Sequence, residues 1–354
     1  MKPTGIVKEE VFLRHEMGPY HPESPHRLQV IYEMIEELPA ALNIVNVKAR
    51  DASEQELSWI HDNRYVRLIA ATAGRADTWL DPDTSTCADS WSAASRAVGG
   101  LFNLVDAVMD GQVRNGFALV RPPGHHAERG RAMGFCLFNN IALAAKYALK
   151  HHGMERIAIV DWDLHHGNGT QNAFYDEQRV LFISTHQYPH YPGSGGLREV
   201  GSGAGEGYTV NLPMDAGCGD EEYLYAFHAL VAPLLEAFRP QMILVSAGFD
   251  AHELDPLGGM GLTEEGYQQM LQILMHLAAE VCSDRLVLTL EGGYNLRALR
   301  DSVRQILICL SGYDPSKEPV PLQPELEDLN SNFRSRLRDA LAVQRRYWPG
   351  LPSL

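Results

Sequence analysis

The chain has 354 residues, 45% of them hydrophobic, and a formal net charge of −15. That length supports one large buried core in a single α/β domain, and the negative balance argues against non-specific nucleic-acid binding. It fits a cationic substrate or peptide, although a solvated acidic surface explains it more simply.

No internal repeat or low-complexity tract is visible. The first 20 residues carry no apolar signal core, and no apolar run reaches about 18 residues. Neither a leader nor a membrane span is therefore expected, and the cytoplasm is the expected compartment. Cys87, Cys136, Cys218, Cys282 and Cys309 are scattered and lack metal spacing, which predicts reduced thiols.

Apolar runs near 4–7 and 43–48 read as strands, and between them lies a helical pattern over 24–38 that opens on a capping Ser24. Helical periodicity follows over 63–74 and 90–109, then a strand near 117–121 and a helix over 139–150. Strands near 156–161, 180–184 and 207–212 lead to a helix over 220–238. The series ends with a strand near 241–246, a helix over 263–282, a strand near 285–290 and a helix over 296–310. Such alternation predicts a mostly parallel sheet of eight strands with helices on both faces. Residues 315–321 form a proline-rich connector. A charged helix over about 324–347 comes next, packed on the body or on a partner subunit. The chain thus divides into a body over 1–314 and a connector with a helix over 315–354, part of or packed on that body.

Chemistry-bearing residues cluster just after four of the predicted strands. Asp161-Trp162-Asp163-Leu164-His165 follows an apolar run, and alternate side chains of an extended chain point the same way. Asp161, Asp163 and His165 are therefore expected to converge at the strand's carboxyl end, where open α/β sheets bind ligands. Asp250 closes the run 241–246 in the same manner. Asp163, His165 and Asp250 together would supply two oxygens and one nitrogen, leaving a position open as in a catalytic zinc site. The plain alternative is that Asp161 and Asp163 are helix N-caps and His165 a satisfied loop histidine.

Two further constellations complete the set. Arg121-Pro122-Pro123-Gly124 makes a rigid turn that aims His125 and His126. Glu291-Gly292-Gly293-Tyr294 places a phenol after a strand, and its glycines let backbone approach a ligand closely. A metal with an open position, two acid/base candidates and a phenol donor suit amide hydrolysis.

The segments RPPGHHA, GFCLFNN, DWDLHHGNGTQ, STHQYPHYPGSG, VSAGFDAH and EGGYN resemble, in order and spacing, the zinc-dependent histone deacetylase superfamily, and within it the class II-like bacterial amidohydrolases. The resemblance spans roughly residues 4–312 and implies the three-layer α/β/α arginase/deacetylase fold. It implies zinc at Asp163, His165 and Asp250. It pairs His125 with Asp161 and His126 with Asn168, His126 being the general base and then the general acid. Tyr294 matches the catalytic tyrosine. Gly134, Phe135 and Tyr191 match positions lining an acyl-lysine tunnel, and Gly292 and Leu257 fall beside it. Potassium is implied at Asp161, Asp163, His165, Ser184 and Thr185, with a second potassium near Phe174, Val180 and Tyr208. His21-Pro22-Glu23 matches an entrance loop that shapes the rim. His151, His152, His186 and His190 are read as structural, the first two at a helix end where a cation suits the dipole.

The implied activity is removal of acetyl or related acyl groups from lysine side chains of a peptide or protein, with no nucleic acid or membrane as partner. Deacetylation of a small acetylated polyamine is the rival. Polyamine-selective relatives carry a glutamate after the Asp-Pro that follows the last zinc ligand, whereas Leu257 follows Asp255-Pro256 here. An arginase-type dimanganese hydrolase and a non-catalytic ligand-binding protein are more distant alternatives. Assembly of like subunits is left open.

Overall fold

A computed structural model describes residues 2–312 and 325–354. Eight strands form one sheet: β1 (Thr4–Val7), β2 (Ile44–Asn46), β5 (Asn115–Ala118), β6 (Ile157–Asp161), β7 (Val180–Gln187), β8 (Thr209–Met214), β9 (Met242–Ala247) and β10 (Leu286–Leu290). The remaining two, β3 (Thr78–Asp81) and β4 (Thr84–Thr86), make a separate antiparallel hairpin. The sheet order is β2-β1-β5-β10-β9-β6-β7-β8, and every pairing in it is parallel. Such a sheet is covered on both faces. Its central strands, Ile157–Asp161, Met242–Ala247 and Leu286–Leu290, are accordingly buried at every position.

The four strands that precede the chemical motifs, β5, β10, β9 and β6, are consecutive neighbours in the sheet. β6, β7 and β8 run outward, and β9 and β10 return to fill the place between β6 and β5, so segments about 170 residues apart in sequence meet at one edge. Parallel pairing aligns all their carboxyl ends on that edge.

All eight expected sheet strands are present, with shifted ends. The strand expected near 117–121 runs from Asn115 to Ala118, and Leu119 to Arg121 already belong to the turn that carries the histidines. β6 stops at Asp161, so Asp163 and His165 stand on a loop and strand alternation does not place them. Ser24 does not cap the first long helix, which starts at His26 with Pro25 before it and no side-chain cap. The helix expected over 63–74 ends at Ala70, and the one over 220–238 contains a π-helical turn at Phe227–Val231.

Short elements escaped the periodicity: the β3–β4 hairpin and the helices Glu54–Leu57 and Asn168–Ala173 span too few residues for a pattern to show. The C-terminal helix is Ser331–Gln344 and lies on β8. Gln344 donates to the Thr209 carbonyl at 3.3 Å, and Trp348 Nε1 donates to the Gly207 carbonyl at 2.9 Å. The helix therefore covers one edge of the sheet, leaving the three-residue β2 at the other. The proline-rich connector 315–321 and the start expected for this helix at 324 lie outside the described residues. Among the described residues, no helix is long and apolar enough to cross a membrane.

Candidate active site

One oxygen each of Asp163 and Asp250 and one nitrogen of His165 lie within 4.8 Å of one another, and all three residues are buried. Backbone donors aim these groups. Asp250 Oδ1 accepts from Leu164 N at 2.9 Å, leaving Oδ2 to face His165 Nδ1 at 2.9 Å. Asp163 Oδ2 accepts from Gly292 N at 2.8 Å, and its Oδ1 stands 3.2 Å from the same Nδ1. Gly292 is required by this approach, because a Cβ there would overlap Asp250 Oδ2 and crowd Asp163.

Burial opposes the charge on His165, but Asp163 and Asp250 outweigh it and raise its pKa to about 10. Burial, and then the negative charge of Asp163, raise the pKa of Asp250. Two buried carboxylates converging on one point need positive charge between them. A divalent cation meets that need with the mixed oxygen and nitrogen donors that zinc accepts. The arrangement therefore fits a bound metal ion. Among the described residues it is the single group of three or more such side chains whose donor atoms converge in this way.

The two histidines differ although they are adjacent. His125 Nδ1 stands 3.0 Å from Asp161 Oδ2. Burial disfavours its charged form, yet Asp163 and Asp161 prevail and hold its pKa well above the ordinary value. His126 is pushed well below it by burial and by the positive charges of His125 and His165. Its Nδ1 lies 2.7 Å from Asn168 Oδ1. The orientation of that amide is fixed by Glu128, whose Oε1 accepts from Asn168 Nδ2 at 2.5 Å. Asn168 must therefore offer its oxygen to the ring, so His126 carries its proton on Nδ1 and leaves the Nε2 lone pair free. Asp161 and Asp163 cap no helix, since the next one begins at Asn168 with Gly167 before it.

Tyr294 is half-buried, its ring 4.9 Å from the Arg27 guanidinium and 5.8 Å from the Phe135 ring. Burial raises its pKa well above the ordinary value, so the phenol remains a donor. Arg27 also donates to the carbonyls of Glu291 at 2.5 Å and Gly293 at 2.7 Å. Glu23 pairs with Arg27 and Arg121 in the interior. Of the residues read as an entrance loop, Glu23 does not shape a rim, and the His21 ring lies elsewhere. That ring packs 4.6 Å from Phe135, whereas Glu23 is fully buried as the counter-ion of two arginines.

Tyr191 stands with its ring 5.1 Å from His126 and remains 37% exposed. Gly134 and Phe135 both have positive φ, and a Cβ on Gly134 would overlap the His126 ring. The hairpin holds this pair: Gly134 N donates to Asp83 Oδ1 at 3.2 Å and Phe135 N donates to Thr84 Oγ1 at 3.0 Å. Leu257 is half-buried, and its N–H donates to Asp255 Oδ1 at 3.0 Å.

Of the residues implied for potassium, Asp161 and Ser184 face each other in the β6–β7 register, and Ser184 Oγ is 2.9 Å from His186 Nδ1. Around the second implied position, the Phe174 carbonyl accepts from Glu177 N at 3.0 Å and the Tyr208 carbonyl from Phe182 N at 2.9 Å. Val180 opens β7. His152 ends its helix bound to Asp106 at 2.7 Å, and the His190 ring packs 5.2 Å from His165.

Sequence reasoning missed the residues that hold the site together: Asp83, Thr84, Glu128, Asp255 and Glu291. Glu291 shows what was missed. Its Oε2 accepts from Gly124 N at 2.6 Å and His125 N at 3.1 Å, and Ser246 Oγ donates to its Oε1 at 3.1 Å. The available signal was its place at the head of EGGYN, directly after a strand. Replacing Glu291 with Ala strands two buried N–H donors at roughly 1–3 kcal/mol each. Denaturant unfolding of the metal-loaded protein should therefore show a loss of roughly 2–6 kcal/mol, and a loss below about 1 kcal/mol would remove the carboxylate from this role.

The histone deacetylase domain matches residues 21–310. A probable deacetylase of Archaeoglobus fulgidus is 39% identical over 355 residues, covering 98% of each chain. Polyamine deacetylase HDAC10 of Homo sapiens is 40% identical over 347 residues, covering 93% of this chain and 50% of that one. The crystal structure of the HDA15 HD domain superposes with a TM-score of 0.89 at 38% identity, covering 98% of this chain and 96% of that one. The chain belongs to the histone deacetylase family, and its architecture is the arginase/deacetylase fold. It spans about half the length of several plant, fungal and human relatives.

Proposed function

We propose that the chain is a zinc-dependent amidohydrolase that removes acetyl and related acyl groups from lysine side chains. One observation carries this reading: a buried Asp163, His165, Asp250 centre beside a His126 whose Nε2 is free, in a deacetylase-family fold. Bound zinc would supply Lewis acidity at the amide carbonyl and lower the pKa of a water molecule. His126 accepts the water's proton at Nε2 as the water oxygen bonds to the carbonyl carbon. Tyr294 donates to the carbonyl oxygen as its negative charge grows. His126 then returns a proton to the amine nitrogen as the C–N bond breaks, releasing acetate and free amine. His125, held by Asp161, keeps positive charge beside this path.

A panel of acetyl-lysine peptide, longer acyl-lysine peptides and acetylputrescine tests the reading. Zinc-loaded protein is expected to turn over the peptide. No hydrolysis of any member by protein with a full complement of zinc would overturn it.

The polyamine reading is disfavoured by Leu257, whose apolar side chain offers nothing to a second ammonium. Leu257→Glu should shift preference toward acetylputrescine by on the order of tenfold in the ratio of kcat/KM values, since one new charge contact supplies about 1–2 kcal/mol of discrimination. A wild-type enzyme that already prefers acetylputrescine by a large factor would refute the argument.

A further inference from the structure

Asp255 lies five residues beyond Asp250, buried, and its carboxylate is fully spent on backbone. Oδ1 accepts from Leu257 N at 3.0 Å. Oδ2 accepts from Tyr294 N at 2.6 Å and from Asn295 N at 3.1 Å. The opposite loop returns the contact, since Asn295 Nδ2 donates to the Leu254 carbonyl at 3.0 Å. Asn295 Oδ1 also accepts from Ala298 N at 3.1 Å, so the same residue caps the helix that follows. Two loops from neighbouring strands, β9 and β10, are thereby joined across their carboxyl ends.

We propose that Asp255 is a positioning residue that fixes the Tyr294 phenol by binding its peptide N–H, locking the tyrosine loop to the loop that bears Leu257. This rests on the role assigned to Tyr294 above. The preceding Gly292 and Gly293 give that loop backbone freedom, with Gly293 at φ +117. Arg27 restrains it through the Glu291 and Gly293 carbonyls. Beyond Gly293, the two bonds to Asp255 hold Tyr294 and Asn295 in place. Both oxygens of Asp255 must act as acceptors, because all three partners are N–H donors. An asparagine has one acceptor oxygen, so its amide group must confront either Leu257 N–H or the Tyr294 and Asn295 pair. Either clash shifts the loop, and a small misplacement of a catalytic group is costly in rate.

A double-mutant cycle distinguishes this from simple loop stapling. Zinc-loaded wild type, Asp255→Asn, Tyr294→Phe and the double variant are compared on an acetyl-lysine peptide. Asp255→Asn is expected to lower kcat roughly 10–100-fold, with KM and bound zinc close to wild type. In the Tyr294→Phe background the same substitution should cost less than about threefold, because the group it positions is already gone. Equal losses in both backgrounds would overturn the proposal while leaving Tyr294 its role. A silent Asp255→Asn would overturn it too. A silent Tyr294→Phe would instead remove the oxyanion role on which the proposal stands. Should Asp255→Asn not fold, Asp255→Glu is read in the same cycle against the same outcomes, since it keeps the charge and lengthens the reach.

Discussion

Asp250→Asn should empty the metal centre without unfolding the chain. The substitution keeps an oxygen to accept from Leu164 N, the bond that anchors this side chain at 2.9 Å. What it removes is the negative charge that faces His165 Nδ1. Wild-type protein is expected to hold about one zinc per chain, as three-ligand catalytic centres do. The variant is expected to hold almost none after dialysis. Activity should fall by at least ~10³-fold, because Lewis-acid stabilisation is worth several kcal/mol and each 1.36 kcal/mol is a decade in rate. His165→Ala should behave alike, since its Nδ1 is the single nitrogen donor of the group. Elemental analysis and deacetylation of an acetyl-lysine peptide measure both effects. Two manganese ions per chain in the wild type, or an Asp250→Asn variant that keeps its zinc, would sink this assignment of the centre.

The sequence carried the strands well, because parallel strands buried on both faces are continuous apolar runs such as Ile157–Val160 and Met242–Val245. It also carried the residues that converge on the candidate metal centre, since each sits three to five residues beyond such a run. It did not carry their geometry. Strand alternation would have turned Asp161, Asp163 and His165 to one side, yet the strand ends at Asp161, which turns to His125 instead. The positions of Asp163 and His165 come from contacts with Gly292 N, with Asp250 Oδ2 and with each other, and such long-range contacts leave no periodicity.

The supporting carboxylates were hidden for a related reason. Asp255, Glu291 and Asp83 act on peptide N–H groups, so no residue type marks their partners. Glu128 bonds to Asn168 across 40 residues, and only the folded chain reveals that it fixes the His126 tautomer. The β3–β4 hairpin that carries Asp83 has strands of four and three residues, too short for alternation to register.

Tyr294→Phe should lose roughly 10²–10³-fold in kcat, the usual cost of deleting one oxyanion donor. Phenylalanine keeps the ring and hence its packing against Arg27 at 4.9 Å and Phe135 at 5.8 Å. The peptide N–H remains on Asp255, so loop and fold should be unchanged. Zinc content should also be unchanged, because Tyr294 stands outside the group of converging ligand atoms. Only the hydroxyl is lost, and its bond strengthens as the planar amide becomes tetrahedral and charge gathers on oxygen. Such a bond stabilises the transition state more than the bound substrate, so kcat falls while KM moves little. Burial raises the phenol's pKa well above the ordinary value, so it stays protonated through neutral and mildly alkaline pH. The loss should therefore be constant across that range rather than growing at either end. A variant with near wild-type kcat, or one whose defect lies mainly in KM, would show that Tyr294 is a packing residue and that the oxyanion is stabilised by other groups.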